Sequence, residues 1–186
     1  MSTLIDRYVD VVPSSRGNAF ETLARAIVGQ QISVKAADAV WARVVAASGS
    51  VDPAALAALG STGLTQCGVS ERKAGYLLDL ADGFNDGRLQ PTHWPAFDDD
   101  AVIADLIRIR GIGRWTAQMF LIFNLQRPDV WPIADIGLQK AAAMHYLDGI
   151  RPSAIQLETL GERFAPWRSV ATWFLWRSLD PVVVQY

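Results

Sequence analysis

"RIRGIGRWTAQMF", residues 108–120, is the stretch on which the reading of this chain turns. Two glycines flank an isoleucine, arginines stand at 108, 110 and 114, and Trp115 follows. Just upstream, "FDDDAVIADLIRI" opens with aspartates and continues with apolar residues at helical spacing. Just downstream, "TAQMFLIF" keeps that spacing, so the glycines mark a break between two helices. Glycine tolerates positive φ and leaves neighbouring amides uncovered, which permits a very tight turn. The helix that follows presents N–H groups and the positive end of its dipole, a surface suited to phosphate. Arg108, Arg110 and Arg114 would add charge where that phosphate lies. Two readings stay open here: a clamp on a DNA backbone, or an ordinary turn between helices with a solvated basic face.

The rest of the chain is helical by the same criterion. Phe20, Leu23, Ala24, Ile27 and Val28 form one face of a helix ending near Gly29. Ser33 can cap the next, whose stripe includes Val34, Ala37, Val40, Trp41 and Val44. Asp52-Pro53 opens "DPAALAALG" as cap and first-turn proline. "SERKAGYLLDLADGFNDG" starts at the Ser70 cap and stops at Asn-Asp-Gly. Further helices are expected over about 114–125, 135–147, 153–164 and 168–179. The terminal "PVVVQY" is the one β-branched run. The fold class is all-α, one domain over residues 1–186, with hairpin-like passages at Cys67-Gly68 and Gly111-Ile112-Gly113.

Composition narrows the chemistry. The 186 residues are 51% hydrophobic and 19% charged, enough for one domain or two small lobes. A net charge of -2 means that any polyanion site is local. A single cysteine, Cys67, rules out an intrachain disulfide and a four-thiolate iron–sulfur cluster. With His93 and His145 the only histidines, no zinc site is expected. Asp98-Asp99-Asp100 reads as a helix start, not a metal cluster. No eighteen-residue apolar run and no leader is present, so a cytoplasmic protein without a membrane partner is expected. Arg72-Lys73 beside Gly68 is either a second backbone contact or simply solvated, and neither histidine has a recognisable partner.

The longer pattern is more specific than Gly-x-Gly. "LIRIRGIGRWTAQMFLIF" resembles the helix-hairpin-helix of the DNA glycosylase superfamily that carries a Gly/Pro-rich loop and a following aspartate. Leu106 through Ala117 fit its pattern, with Arg110 where a proline is usual. "RPDVWPIADIGLQKA" resembles the loop and aspartate-bearing helix, and "FETLARAIVGQQISVKAA" the segment that carries the DNA wedge. "APWRSVATWFLW" is similar to the last helix of the 3-methyladenine DNA glycosylase II family. The likeness runs over roughly residues 18–180, four motifs in the right order.

The resemblance implies a two-lobed fold with the hairpin at about 106–117 and the active cleft between the lobes. It implies a minimal monomeric enzyme that flips an alkylated purine, of 3-methyladenine or 7-methylguanine type, from duplex DNA and hydrolyses its glycosidic bond. Asp135 falls at the catalytic position, where a carboxylate stabilises the oxocarbenium-like sugar. Trp115 stands where strand-cleaving relatives keep a Schiff-base lysine, which implies a monofunctional enzyme. Trp115 and Trp176 are implied to line the base pocket, stacking on a cationic base, with Met119 where relatives often have an aromatic. Gln31 matches the wedge; the amides of Gly111, Gly113 and Thr116, with Arg110 and Arg114, match the phosphate grip. The carbonyls of Ile107, Ile109 and Ile112 match those that can hold a monovalent cation, Na+ or K+, and no other cofactor is implied. Two alternatives remain: a relative acting on deaminated or mispaired bases, or a non-catalytic helix-hairpin-helix module that only binds DNA.

Overall fold

The computed structural model describes residues 1–8 and 17–179, and every regular element among them is helical. Ten α-helices follow in order: α1 (Ser2–Arg7), α2 (Ala19–Gly29), α3 (Val34–Ser48), α4 (Pro53–Gln66), α5 (Glu71–Asn85), α6 (Asp99–Leu106), α7 (Arg114–Phe123), α8 (Ile136–Tyr146), α9 (Ala154–Glu162) and α10 (Arg168–Leu179). The expected caps hold: Ser33, Asp52 and Ser70 each accept a backbone N–H three residues on, and Asp98, read from sequence only as part of a helix start, does the same for α6. Helix α7 stops two residues earlier than its apolar pattern suggests. Gln126 adopts a φ of 53° and the Arg127 N–H bonds back to the Leu121 carbonyl, closing the helix.

Some elements were not legible. Residues Ser61–Gln66 extend α4 past a break at Gly60 (φ 60°, ψ -178°), although "STGLTQ" has little apolar periodicity. Helix α1 and a 3-10 turn at Trp94–Ala96 are short and leave a weak pattern. Val34, assigned to a buried stripe, is 59% exposed; it sits in the first turn of α3, and burial on that helix is limited to Trp41 and Val44. "PVVVQY" lies outside the described residues.

The described residues form two compact units. In the unit of residues 17–120, α2 packs on α3 and α5, and α4 on α3 and α5. Phe20, Leu23, Ile27, Leu64, Leu77, Leu80, Leu106 and Ile109 are almost wholly buried in it. Trp94, fully buried, sets its rings edge-on to Phe84 and Phe120 and donates its indole N–H to Asp105. In the unit of residues 1–8 and 121–179, α8 and α1 pack on α10 around Trp131, Leu138, Ala141, Leu157 and Leu175. Gly161 on α9 makes room for Trp131, since a Cβ there would come within 2.6 Å of the indole nitrogen.

Candidate active site

The hairpin turn between α6 and α7 is built as the glycines require. Gly111 has φ 88°, and a Cβ there would overlap the Tyr76 ring, so both the backbone and the packing demand glycine. Nothing crowds Gly113, which leads directly into the first turn of α7. The turn is fastened to α5: Asp79 accepts the Arg110 N–H at 2.9 Å and also pairs with the Arg110 and Arg88 guanidinium groups. Burial would raise the Asp79 pKa, but those donors outweigh it and hold the carboxyl below the ordinary aspartate value.

The basic cluster is present but not bare. Arg108 pairs with Asp105 at 3.3 Å, Arg110 with Asp79 at 3.4 Å, and Arg114 with Asp100 at 3.0 Å. These arginine side chains are 60–72% exposed, so the pairs are weak and can exchange for a phosphate at little cost. The aspartate run is therefore a cap and a salt-bridge partner, as its helix-start reading implies.

Around the turn between α2 and α3, Gln31 is exposed and holds φ 59°, a left-handed conformation that non-glycine residues seldom adopt. Gln30 donates its side-chain amide to the Gly111 carbonyl at 2.8 Å, joining this turn to the hairpin. Lys73 fits neither of its two sequence readings, a second DNA-backbone contact or a solvated side chain: only 9% exposed, it donates to the Val28 carbonyl at 2.7 Å and the Gln30 carbonyl at 2.6 Å. Burial, then the neighbouring Arg72 charge, pulls its pKa below the ordinary lysine value. Arg72 remains exposed, 3.5 Å from the Gln31 side-chain oxygen.

Trp115 is half-buried in the first turn of α7, and Met119 is buried one turn on, 4% exposed. Thr116 is buried beside them in sequence. Of the seven tryptophans, Trp41, Trp94, Trp131 and Trp173 are core, whereas Trp115 and Trp176 are half-buried and Trp167 is exposed.

Asp135 is 6% exposed and caps α8. Its Oδ1 accepts the Leu138 N–H at 2.6 Å and the Trp176 indole N–H at 2.7 Å. Trp176, half-buried on α10, lies nearly parallel to Phe123, at 16° and 5.9 Å between ring centroids. The aromatic assigned to the base pocket thus also grips the carboxylate. Gly137 permits this approach, because a Cβ there would sit 3.0 Å from Trp176 Cδ1 and 3.1 Å from Asp135 Oδ1.

The loop leading into Asp135 is clamped by the start of α10. Arg168 donates twice to Asp129 at 2.8 Å, and the Val130 N–H donates to the Ser169 hydroxyl at 2.9 Å. Ser169 in turn donates to the Arg127 carbonyl at 2.6 Å. The Arg168 guanidinium holds the Asp129 carboxyl below its ordinary pKa. "WRS" inside the quoted final motif was the signal for this clamp. His145, given no partner from sequence, lies 2.8 Å from the Ser178 hydroxyl; the two are brought together by the packing of α8 on α10. Cys67 is buried, its thiol directed to the Arg43 carbonyl at 3.6 Å. Among the described residues no three His, Cys, Asp or Glu side chains gather as a metal site would require.

The sequence pattern of the HhH-GPD superfamily of base excision DNA repair proteins matches residues 24–166, a span containing both the hairpin and Asp135. The chain belongs to that superfamily. Among HhH-GPD relatives, DNA-3-methyladenine glycosylase 1 of Schizosaccharomyces pombe is 34% identical over 165 residues, 86% of this chain and 72% of that protein. The fold is similar to the crystal structure of a DNA-3-methyladenine glycosidase from Bacillus halodurans, with a TM-score of 0.86 and 34% identity over 96% of this chain and 85% of that one. It is also similar to S. pombe Mag1, solved in complex with abasic DNA, with a TM-score of 0.83 and 28% identity over 98% and 93% of the two chains. A Bacillus subtilis relative, 32% identical, is longer: this chain covers 88% of itself and 60% of that protein's length in the match.

Proposed function

We propose that this HhH-GPD protein is a monofunctional DNA glycosylase that releases alkylated purines, of 3-methyladenine or 7-methylguanine type, from duplex DNA. The observation that carries the reading is Asp135: a buried carboxylate at a helix start, with Oδ1 anchored by the Leu138 and Trp176 donors. As the bond from C1′ to the purine nitrogen breaks, its electron pair leaves with the base and positive charge develops on the sugar. A fixed carboxylate stabilises that charge and orients a water, whose oxygen bonds C1′ while its proton passes to the carboxylate or to solvent. Methylation has already made the leaving base cationic, and the faces of Trp115 and Trp176 suit stacking on such a cation. Trp115 offers no amine, so no Schiff base forms there and the strand is left intact.

The hairpin serves the backbone. Gly111, Gly113 and Thr116 supply amides, and Arg108, Arg110 and Arg114 can trade their carboxylates for phosphates. Gln31 is the wedge that fills the stack once the damaged nucleotide leaves. The Ile107, Ile109 and Ile112 carbonyls, at the end of α6 and in the hairpin, would be neutral oxygen donors of the kind that hold Na+ or K+. The Ile109 carbonyl already accepts the Ile112 N–H at 3.1 Å, which fixes the turn. A bound cation would add positive charge toward a phosphate. We further propose that the protein acts as a monomer in the cytoplasm.

The test is chromatography of bases released from duplex DNA treated with dimethyl sulfate, followed by strand analysis before and after alkali. Release of methylpurines with breaks only after alkali is the expected result. Breaks without alkali would contradict the monofunctional reading, and no release of methylpurines would contradict the substrate class.

A further inference from the structure

One face of α5 holds both turns to which DNA contacts have been assigned. Lys73, Tyr76 and Asp79 are three residues apart and so share that face. Asp79 holds the Arg110 N–H, and Tyr76 packs where a side chain at Gly111 would lie. Lys73 sends its ammonium into the end of α2, onto the Val28 and Gln30 carbonyls. A lysine this buried ordinarily has a carboxylate partner; here its ammonium donates to two main-chain oxygens. The residue immediately after its second acceptor is Gln31, exposed and in the left-handed region. Such a conformation persists only where the surroundings over-determine it. Two bonds on Gln30 do so: its carbonyl accepts from Lys73, and its side chain donates to the Gly111 carbonyl.

We propose that Lys73 is a positioning residue for base flipping: it fixes the α2–α3 turn so that Gln31 enters the duplex in register with the hairpin's hold on the backbone. This rests on the glycosylase reading for its consequence, but on the geometry above for its mechanism. Lys73 touches no reacting atom. It acts through Gln31.

The experiment compares Lys73→Met, Gln30→Leu, Gln31→Ala and the Lys73→Met/Gln31→Ala double variant. Gln30→Leu severs the link to Gly111 without touching the buried ammonium, and so tests the second hold on the turn; if Lys73→Met does not fold, Lys73→Arg takes its place, keeping the charge while disturbing the seat of the ammonium between the Val28 and Gln30 carbonyls. The first readout is 2-aminopurine fluorescence opposite a tetrahydrofuran abasic analogue in duplex DNA at saturating protein, which reports wedge insertion without catalysis. The second is single-turnover base release from methylated duplex. Expected are loss of at least half the fluorescence change and about tenfold slower release for Lys73→Met and Gln30→Leu, with no further loss when Lys73→Met is added to Gln31→Ala. A lowered melting temperature with the full fluorescence change, or losses that multiply with Gln31→Ala, would show that Lys73 only caps α2. If the wild type releases no base, the glycosylase reading fails and the fluorescence arm still decides the role of Lys73.

Discussion

Replacing Trp176 by phenylalanine separates the two jobs that the structure gives this side chain. Phenylalanine keeps an aromatic plane against Phe123 but has no N–H to donate to Asp135 Oδ1, which now accepts it at 2.7 Å. A hydrogen bond to a charged acceptor is worth about 1.5–3 kcal/mol. Without that bond the carboxylate is free to turn away from the sugar; if the bond's strength is what holds it in the reactive orientation, then at about 1.4 kcal/mol per factor of ten its loss slows the chemical step roughly tenfold to a hundredfold. The Leu138 N–H still caps the carboxylate, so the start of α8 survives. The assay is single-turnover release of 7-methylguanine at saturating enzyme, paired with affinity for an abasic duplex by anisotropy. A stacking role alone predicts weaker substrate binding with the rate at saturation retained, since phenylalanine is the poorer cation-π partner. The hydrogen-bond role predicts the reverse: a slower saturated rate with little change in abasic-duplex affinity. A saturated rate within twofold of wild type refutes the reasoning.

Other consequences are equally direct. Gly111→Ala combines a φ of 88° with overlap on Tyr76, and should cost about 2–4 kcal/mol in urea unfolding together with hairpin-dependent DNA binding. Arg110→Ala and Arg114→Ala each remove one phosphate contact, so the slope of log affinity against log salt should fall by about 0.9 per variant. The lowered pKa values of Asp129 and Asp79 set an acid limit on stability: their contribution is complete above the ordinary aspartate pKa near 3.9 and is lost as pH falls through the lower folded values. Thermal melts over pH 2–5 should therefore show a falling acid limb, shallower in Asp129→Asn; an unchanged limb would remove that pair from the account.

Long elements with caps were legible because a cap and a period are both local signals. Ser33, Asp52, Ser70 and Asp98 announce their helices, and the structure places each bond as the side-chain chemistry requires. Gly111 was legible as a turn, but its second reason, the Tyr76 ring, comes from a residue 35 positions earlier and leaves no local trace. The same limit hid Lys73. A lysine in "SERKA" looks solvated until α2 is packed on α5, when its ammonium meets carbonyls 43 and 45 residues away. Asp135 could be placed by resemblance of order and spacing, whereas its anchoring by Trp176 depends on α10 meeting α8. The paired state of Arg108, Arg110 and Arg114 was likewise invisible, since two of their three partners lie 14 or more positions away.

The central claim is that Asp135 carries the chemistry and not merely the helix cap. In Asp135→Asn the new side chain would still accept the Leu138 and Trp176 donors through its amide oxygen, so the substitution removes charge and leaves the anchoring bonds in place. The decisive measurement is single-turnover base release by this variant beside its affinity for abasic duplex DNA. The account predicts release at least about a hundredfold slower, roughly 2.7 kcal/mol of lost transition-state stabilisation, with affinity and melting temperature near wild type. Release at the wild-type rate would contradict it and leave Asp135 as a helix cap.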